Sequence, residues 1–238
     1  MFISNFQKPL PYKSEVVFFI STESSKGVTY ISKEFHLISN GQMPIEQFAE
    51  IVTDIQPYIT AIHLREKIIT ARELFDAVEF LTKKNIPLSK IILNDRVDVA
   101  SVTGVAGVQL AYHSLDAGIV KDNFQQLRVG SSIHSFEDGL KAIRDHADYV
   151  LFGHVYPSHS KPGKIPKGLE ELKKVSQLNI PVIAIGGIRP ENTYQVLQAG
   201  ATGIAVISGV LDAKDPVAAV KSYANELKNG DESIVSFI

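Results

Sequence analysis

From Glu34 onward the chain alternates short runs rich in β-branched and aromatic residues with longer stretches whose apolar positions recur every three or four residues. That is the pattern of parallel strands joined by crossover helices. The strand runs are Phe35–Ser39, Ala61–Arg65, Lys90–Asn94, Gly107–Ala111, Arg128–Ile133, Tyr149–Val155, Val182–Gly186 and Ile204–Ser208, each followed by polar or glycine residues. Helical spacing runs through Ile45–Ile55, Ala71–Lys84, Phe136–Asp145, Gly168–Gln177, Glu191–Gln198 and Pro216–Leu227. A doubly wound open sheet alternates in the same way, but no Gly-x-Gly-x-x-Gly follows the first run. The count of eight therefore predicts an α/β fold, a single (β/α)8 TIM barrel over residues 34–228.

Two segments stand outside this rhythm. Residues 1–33 carry Pro9, Pro11, a Ser-Thr-Glu-Ser-Ser run and no helical spacing, and read as an N-terminal extension that the barrel does not need. Residues 229–238 read as a C-terminal tail, whose Ile234, Val235, Phe237 and Ile238 are able to cap the barrel or to meet another subunit of a homo-oligomer.

Composition narrows the function classes. At 238 residues, 45% hydrophobic and 21% charged, the chain is an ordinary globular protein. With 24 basic against 26 acidic residues it has no excess of positive charge for a phosphate backbone, so nucleic acid is not an expected partner. The absence of cysteine excludes disulfides, thiolate metal sites and a cysteine nucleophile, and suits a reducing compartment. No apolar run approaches the roughly 18 to 20 residues that span a bilayer. Val16–Ile20 is too short for the core of a signal peptide, and a cytoplasmic location without membrane partners is expected.

In such a barrel the chemistry sits at the C-terminal strand ends. That filter selects Arg65 and Lys67 after the second run, Asn94 and Asp95 after the third, and Ser114 and Asp116 after the fourth. It also selects His134 after the fifth, His154 and Lys161 after the sixth, Gly186 and Gly187 after the seventh, and Ser208 and Gly209 after the eighth. The sharpest local signal is the pair Ala-Ile-Gly-Gly-Ile (184–188) and Ala-Val-Ile-Ser-Gly-Val (205–210). Glycines there let backbone N–H groups approach a phosphate, and a short helix starting near Gly209 would point its positive end at the same oxygens; strand-to-helix turns also carry glycine for geometric reasons alone.

His134 shares a strand face with the small residues Gly130 and Ser132, which leaves room for an imidazole in the barrel mouth, with a pKa suited to proton transfer. A helix-capping or supporting role is the alternative, since Ser135 and Asp138 look like a helix start. Arg65 and Lys67 offer a planar fork and a point charge to an anion, or simply a solvated turn. Asp95 has the chemistry to hold a divalent cation together with a second carboxylate, and Asp98 to cap the helix that follows. There is no supported Ser-His-Asp order, no His-Glu-x-x-His and no Walker loop.

Several motifs together resemble the thiamin phosphate synthase superfamily: His-Leu-Arg-Glu-Lys, Asn-Asp-Arg-Val-Asp-Val-Ala, Gly-Val-Gln-Leu, Ser-Ile-His-Ser, Asp-Tyr-Val-Leu-Phe-Gly-His-Val-Tyr-Pro, Pro-Val-Ile-Ala-Ile-Gly-Gly-Ile and Ala-Gly-Ala-Thr-Gly-Ile-Ala-Val-Ile-Ser-Gly. They run in order from about Glu34 to Leu227. The resemblance implies the eight-stranded barrel and a phosphorylated thiazole as ligand. It also implies one of two chemistries: a synthase that joins a pyrimidine diphosphate to thiazole phosphate with magnesium, or a TenI-type tautomerase that aromatises the thiazole by moving protons. Ser114 falls where the synthase pattern has a metal aspartate, His63 where it usually has glutamine, and Ser158-His159-Ser160-Lys161 where it has Thr-x-Thr-Lys. On these departures the expectation is the tautomerase, an isomerase without cofactor or metal. Its acid/base is His134 and its phosphate is held at Gly186, Gly187, Ser208 and Gly209. The remaining substrate contacts then come from Arg65, Lys67, Asn94, Ser132 and Lys161. The synthase stands as the alternative, and a metabolite-binding regulator without chemistry as a rival from another class.

Overall fold

The computed structural model describes residues 33–158, 161 and 163–232, with side chains as far as Lys228. Both terminal segments singled out above, apart from Lys33 and the stretch 229–232, lie outside the described residues. Eight parallel strands close in chain order into a barrel: β1 (Glu34–Ile38), β2 (Ala61–Leu64), β3 (Ile91–Asn94), β4 (Gly107–Leu110), β5 (Arg128–Ile133), β6 (Tyr149–Gly153), β7 (Val182–Ile185) and β8 (Gly203–Val206). β8 pairs back onto β1, with Phe35 opposite Ile204. The TIM barrel read from the spacing is the observed fold.

Nine helices complete the described chain: α1 (Ile45–Ile55), α2 (Ala71–Lys83), α3 (Val97–Thr103), α4 (Ala117–Asn123), α5 (Phe136–Arg144), α6 (Gly168–Val175), α7 (Pro190–Gln198), α8 (Ser208–Leu211) and α9 (Pro216–Glu232). The sequence pattern placed six of the nine within a few residues at each end. Only a short helix near residue 98 and the start of α8 were anticipated beyond these, because α3 and α4 have seven residues each, too few for a helical period to declare itself. α9 continues to Glu232, past the apolar spacing that ends at Leu227.

Local chemistry fixes the helix starts. Thr70 and Glu73 form a reciprocal capping box at α2, and Ser135 accepts from the Asp138 amide at 3.1 Å at the start of α5. Asp98, expected as a cap, instead lies within the first turn of α3 and pairs with Arg96 at 2.6 Å; Arg96 occupies the cap position. The Arg96 guanidinium is a stronger partner for that carboxylate than a single amide.

Strand alternation sorts the apolar residues into two bodies. Leu37, Ile62, Leu64, Leu93 and Val108 face outward against Phe48, Val52, Leu74 and Leu81 of the helices. Ile38, Ala61, Ile92, Tyr149, Leu151, Ile183 and Ala205 face inward and fill the barrel, so its axis is packed.

Candidate active site

His134 follows β5 directly and stands on the rim. Its Nδ1 lies 2.6 Å from the carbonyl oxygen of Gly153 at the end of β6, and its backbone N–H donates to Asp138 at 2.9 Å. A carbonyl only accepts, so Nδ1 carries the proton and Nε2 is left with a bare lone pair. Partial desolvation and the charges of Lys161 and Lys167 hold the imidazole below its ordinary pKa. At neutral pH it is therefore an uncharged acceptor.

Two further cations, Lys164 and Arg65, stand beside these. Burial, then Lys164, Lys167 and Arg65, push the Lys161 ammonium below its ordinary value, so all three lie close enough to act on it. Arg65 is half-buried behind β2, with its backbone N–H on the Ser39 hydroxyl at 2.9 Å, whereas Lys67 is exposed. The structure thus gathers Arg65, Lys161 and His134 around one mouth; Lys164 and Lys167 join them although the rim filter passed over both. A basic residue one turn before a helix resembles any surface lysine in sequence.

The glycine-rich ends of β7 and β8 are adjacent. Gly186 and Gly187 have φ of +101° and +64°, in the left-handed region that favours glycine. A Cβ on Gly186 would sit 2.2 Å from the His154 Cβ, and one on Gly187 2.4 Å from the Pro157 carbonyl oxygen. These glycines let the loop after β6 lie against the end of β7, where the Tyr156 N–H donates to the Gly186 carbonyl at 3.0 Å. At the end of β8, Ser208 and Gly209 are exposed and form the first turn of α8, whose amides have no carbonyl of their own helix to donate to.

On the opposite rim the carboxylates are dispersed. Asp95 is exposed with φ +67° and donates its backbone N–H to the Gln109 carbonyl. The Ser114 hydroxyl accepts from the Ala111 N–H at 2.9 Å, closing the turn after β4. Asp116 is paired with Lys141 at 2.7 Å.

Beneath the mouth lies a feature the sequence did not disclose, a buried polar column. Arg128 grips Glu34 with two hydrogen bonds of 2.7 and 2.8 Å, Glu34 meets His36 Nε2 at 2.9 Å, and His36 Nδ1 meets His63 Nε2 at 2.9 Å. Arg128 also stacks over the ring of Tyr149, 4.5 Å from its centroid. Gln109 donates to the Ser132 hydroxyl at 3.1 Å, which ties Ser132 to the barrel interior. His63, which stands where the synthase pattern usually has glutamine, is wholly buried in this column.

Residues 35–210 match the family model described as thiamine monophosphate synthase. The chain belongs to the thiamine monophosphate synthase family. It is 36% identical over 193 residues to the thiamine-phosphate synthase of Caldanaerobacter subterraneus subsp. tengcongensis, covering 78% of this chain and 87% of the relative. Against the thiamine-phosphate synthase of Pyrococcus furiosus it is 36% identical over 178 residues, 74% of this chain and 84% of the relative. The solved thiamine phosphate pyrophosphorylase from Pyrococcus furiosus superposes with a TM-score of 0.71 at 30% identity, over 84% of this chain and 97% of that one. A 3-hexulose-6-phosphate synthase, at 21% identity and a TM-score of 0.63, shares the fold.

These relatives overturn the tautomerase expectation: curated proteins alike across most of the barrel are named synthases, not isomerases. Two of the three departures that favoured it also have internal explanations. His63 is wholly buried against His36 inside the barrel, and the Ser114 hydroxyl serves a backbone turn. Side chains committed to packing say little about the reaction.

The family resemblance brings magnesium with the synthase reaction, and the donor set can be tested for it. Among the described residues no group of three His, Asp or Glu side chains converges to hold a metal. Asp116 is paired with Lys141, and Ser114 brings a hydroxyl where a carboxylate would be needed. The residues present do not fit a magnesium ion held by the protein, and no step is routed through one.

Proposed function

We propose that this protein is a transferase that joins a pyrimidine diphosphate to a thiazole phosphate, forming thiamin phosphate. The likeness to curated thiamine-phosphate synthases over most of the barrel carries this reading. In this reaction the thiazole ring nitrogen supplies the electron pair of the new bond, and diphosphate leaves with the pair of the bond that breaks. Negative charge therefore develops at the departing oxygens, and fixed cations there lower the barrier. Arg65, Lys161, Lys164 and Lys167 are the cations available for that task.

The thiazole phosphate is assigned to the backbone amides at Gly186, Gly187, Ser208 and Gly209, the corner where barrels of this kind usually hold phosphate. His134 offers Nε2 as the acceptor for a ligand proton. Asn94, Ser132 and Lys67 complete the substrate contacts. The family's substrates are small phosphorylated molecules, and no helix among the described residues is long and apolar enough to cross a membrane.

The test is direct. Purified protein supplied with both substrates and magnesium should form thiamin phosphate at an enzymatic rate, on the order of 1 s⁻¹ or faster. Saturable binding of thiazole phosphate with no coupled product would sink the transferase reading.

A further inference from the structure

The buried column rises from the start of β1 to the end of β3, and its upper end is Asn94. Glu34 and Arg128 form its base, His36 and His63 its middle, and the Asn94 side chain acts on the His63 ring from the neighbouring strand β3. Both imidazoles are wholly buried, and Asn94 alone is partly open to the mouth. The coupling chemistry assigns no role to Glu34, His36 or His63.

Protons can be placed on this column in one order. Burial by itself would raise the Glu34 carboxyl, but hydrogen bonds from His36 and Arg128 outweigh it and keep the group ionised, well below the usual carboxylate range. An ionised carboxylate only accepts, so His36 carries its proton on Nε2. Burial holds both imidazoles below their ordinary values, so each is neutral with one proton. His36 Nδ1 is then bare and must accept from His63 Nε2, 2.9 Å away, which leaves His63 Nδ1 bare in turn.

That lone pair needs a donor. With Asn94 Oδ1 turned inward two acceptors confront each other, and His63 Nδ1 and Asn94 Oδ1 are both buried without a partner. An unpaired buried acceptor loses its hydration with nothing in exchange. The two ends of an amide have the same shape, and the surrounding hydrogen bonds decide between them. Turning the group about its last bond puts Nδ2 against the His63 nitrogen and satisfies both positions at once.

We infer that Glu34, His36 and His63 are positioning residues: their fixed proton order holds Asn94 with Nδ2–H donating inward to His63 and Oδ1 presented to the barrel mouth. The mouth thereby offers an acceptor at this point, suited to an N–H or amino group of a bound ring and unfavourable to a carbonyl or phosphate oxygen. The inference concerns the side chains and holds whichever reaction the site performs.

The experiment is nitrogen NMR of the full-length, 15N-labelled protein at pH 7 without ligand. Long-range proton–nitrogen spectra should show His36 and His63 each as the pure Nε2–H tautomer, and a scalar coupling should cross the hydrogen bond from Asn94 Nδ2 to His63 Nδ1. A His63 ring protonated on Nδ1, or no coupling between the two side chains, overturns the inference. Glu34→Gln removes the carboxylate that sets the order, and both rings should then become tautomer mixtures. Pure Nε2–H rings in a folded Glu34→Gln protein would show that the carboxylate is not the source. Should that variant fail to fold, the wild-type spectra still decide.

Discussion

His134 leans on Gly153: the imidazole Nδ1 is 2.6 Å from the carbonyl oxygen at the end of the neighbouring strand, and this contact aims the bare Nε2 at the mouth. Asparagine at position 134 keeps polarity but has no counterpart of the bare ring nitrogen Nε2. His134→Asn removes the hydrogen bond proposed between Nε2 and bound substrate and is expected to lower kcat/KM by about tenfold, the worth of one hydrogen bond. Full turnover in that variant would remove His134 from the mechanism.

The lowered pKa of His134 sets a pH limb. Its neutral form is the acceptor, and partial burial together with Lys161 and Lys167 disfavours the charged ring, so activity should persist on the acid side below the usual histidine value of 6.5. Lys161→Met takes away one of those charges and should move the limb toward higher pH. An NMR titration of His134 in both proteins reads the shift directly; identical titrations would mean that Lys161 does not act on the ring.

His36 and His63 link the fold to pH. Both are buried and held neutral, whereas in the unfolded chain they take up protons near their ordinary value of 6.5. The unfolded state therefore binds more protons as pH falls, and stability must fall with it. Glu34, whose native carboxyl titrates far below its ordinary value, adds a loss in the same direction at lower pH still. Denaturant midpoints are expected to decline from pH 7 to pH 5, with a shallower decline in His63→Gln.

At Gly187 a side chain meets two obstacles, a positive φ of +64° and the Pro157 carbonyl 2.4 Å from the would-be Cβ. Gly187→Ala should cost about 1–3 kcal/mol of stability and weaken thiazole phosphate binding, because the loop must withdraw from the end of β7. Calorimetric titration checks the second effect, and unchanged affinity would place the phosphate elsewhere.

With its carboxylates dispersed, the protein alone should bind divalent cations weakly. Paramagnetic resonance of Mn²⁺ with the ligand-free protein is expected to show no site tighter than about millimolar. Ser114→Asp restores a second carboxylate near Asp95, on neighbouring strand ends, and its side chain still accepts from the Ala111 N–H. It should make binding measurable; a tight site in the unaltered protein would contradict the donor geometry.

Strand and helix spacing sufficed for the barrel because period-two and period-3.6 burial are properties of contiguous segments, visible wherever the segment is long enough. α1 was legible to the residue for that reason, and α3 was too short to be. Candidate site residues followed from the rule that strand ends carry the chemistry, which placed His134 and Lys161 at one mouth without coordinates. The reaction was misread because Ser114 and His63 were weighed as departures from the synthase pattern, whereas a backbone turn holds the one and the buried column the other.

What sequence by itself determined was the order of elements, the barrel and the set of residues at its rim, all consequences of local periodicity. Only the tertiary structure decided which partner each polar group takes. Arg128 and Glu34 are 94 positions apart in the chain, and His36 and His63 are 27 apart. They meet because ring closure brings β5 and the first two strands around a single packed interior, where an unpaired charge or lone pair is costly and each polar group must find whatever partner the register supplies.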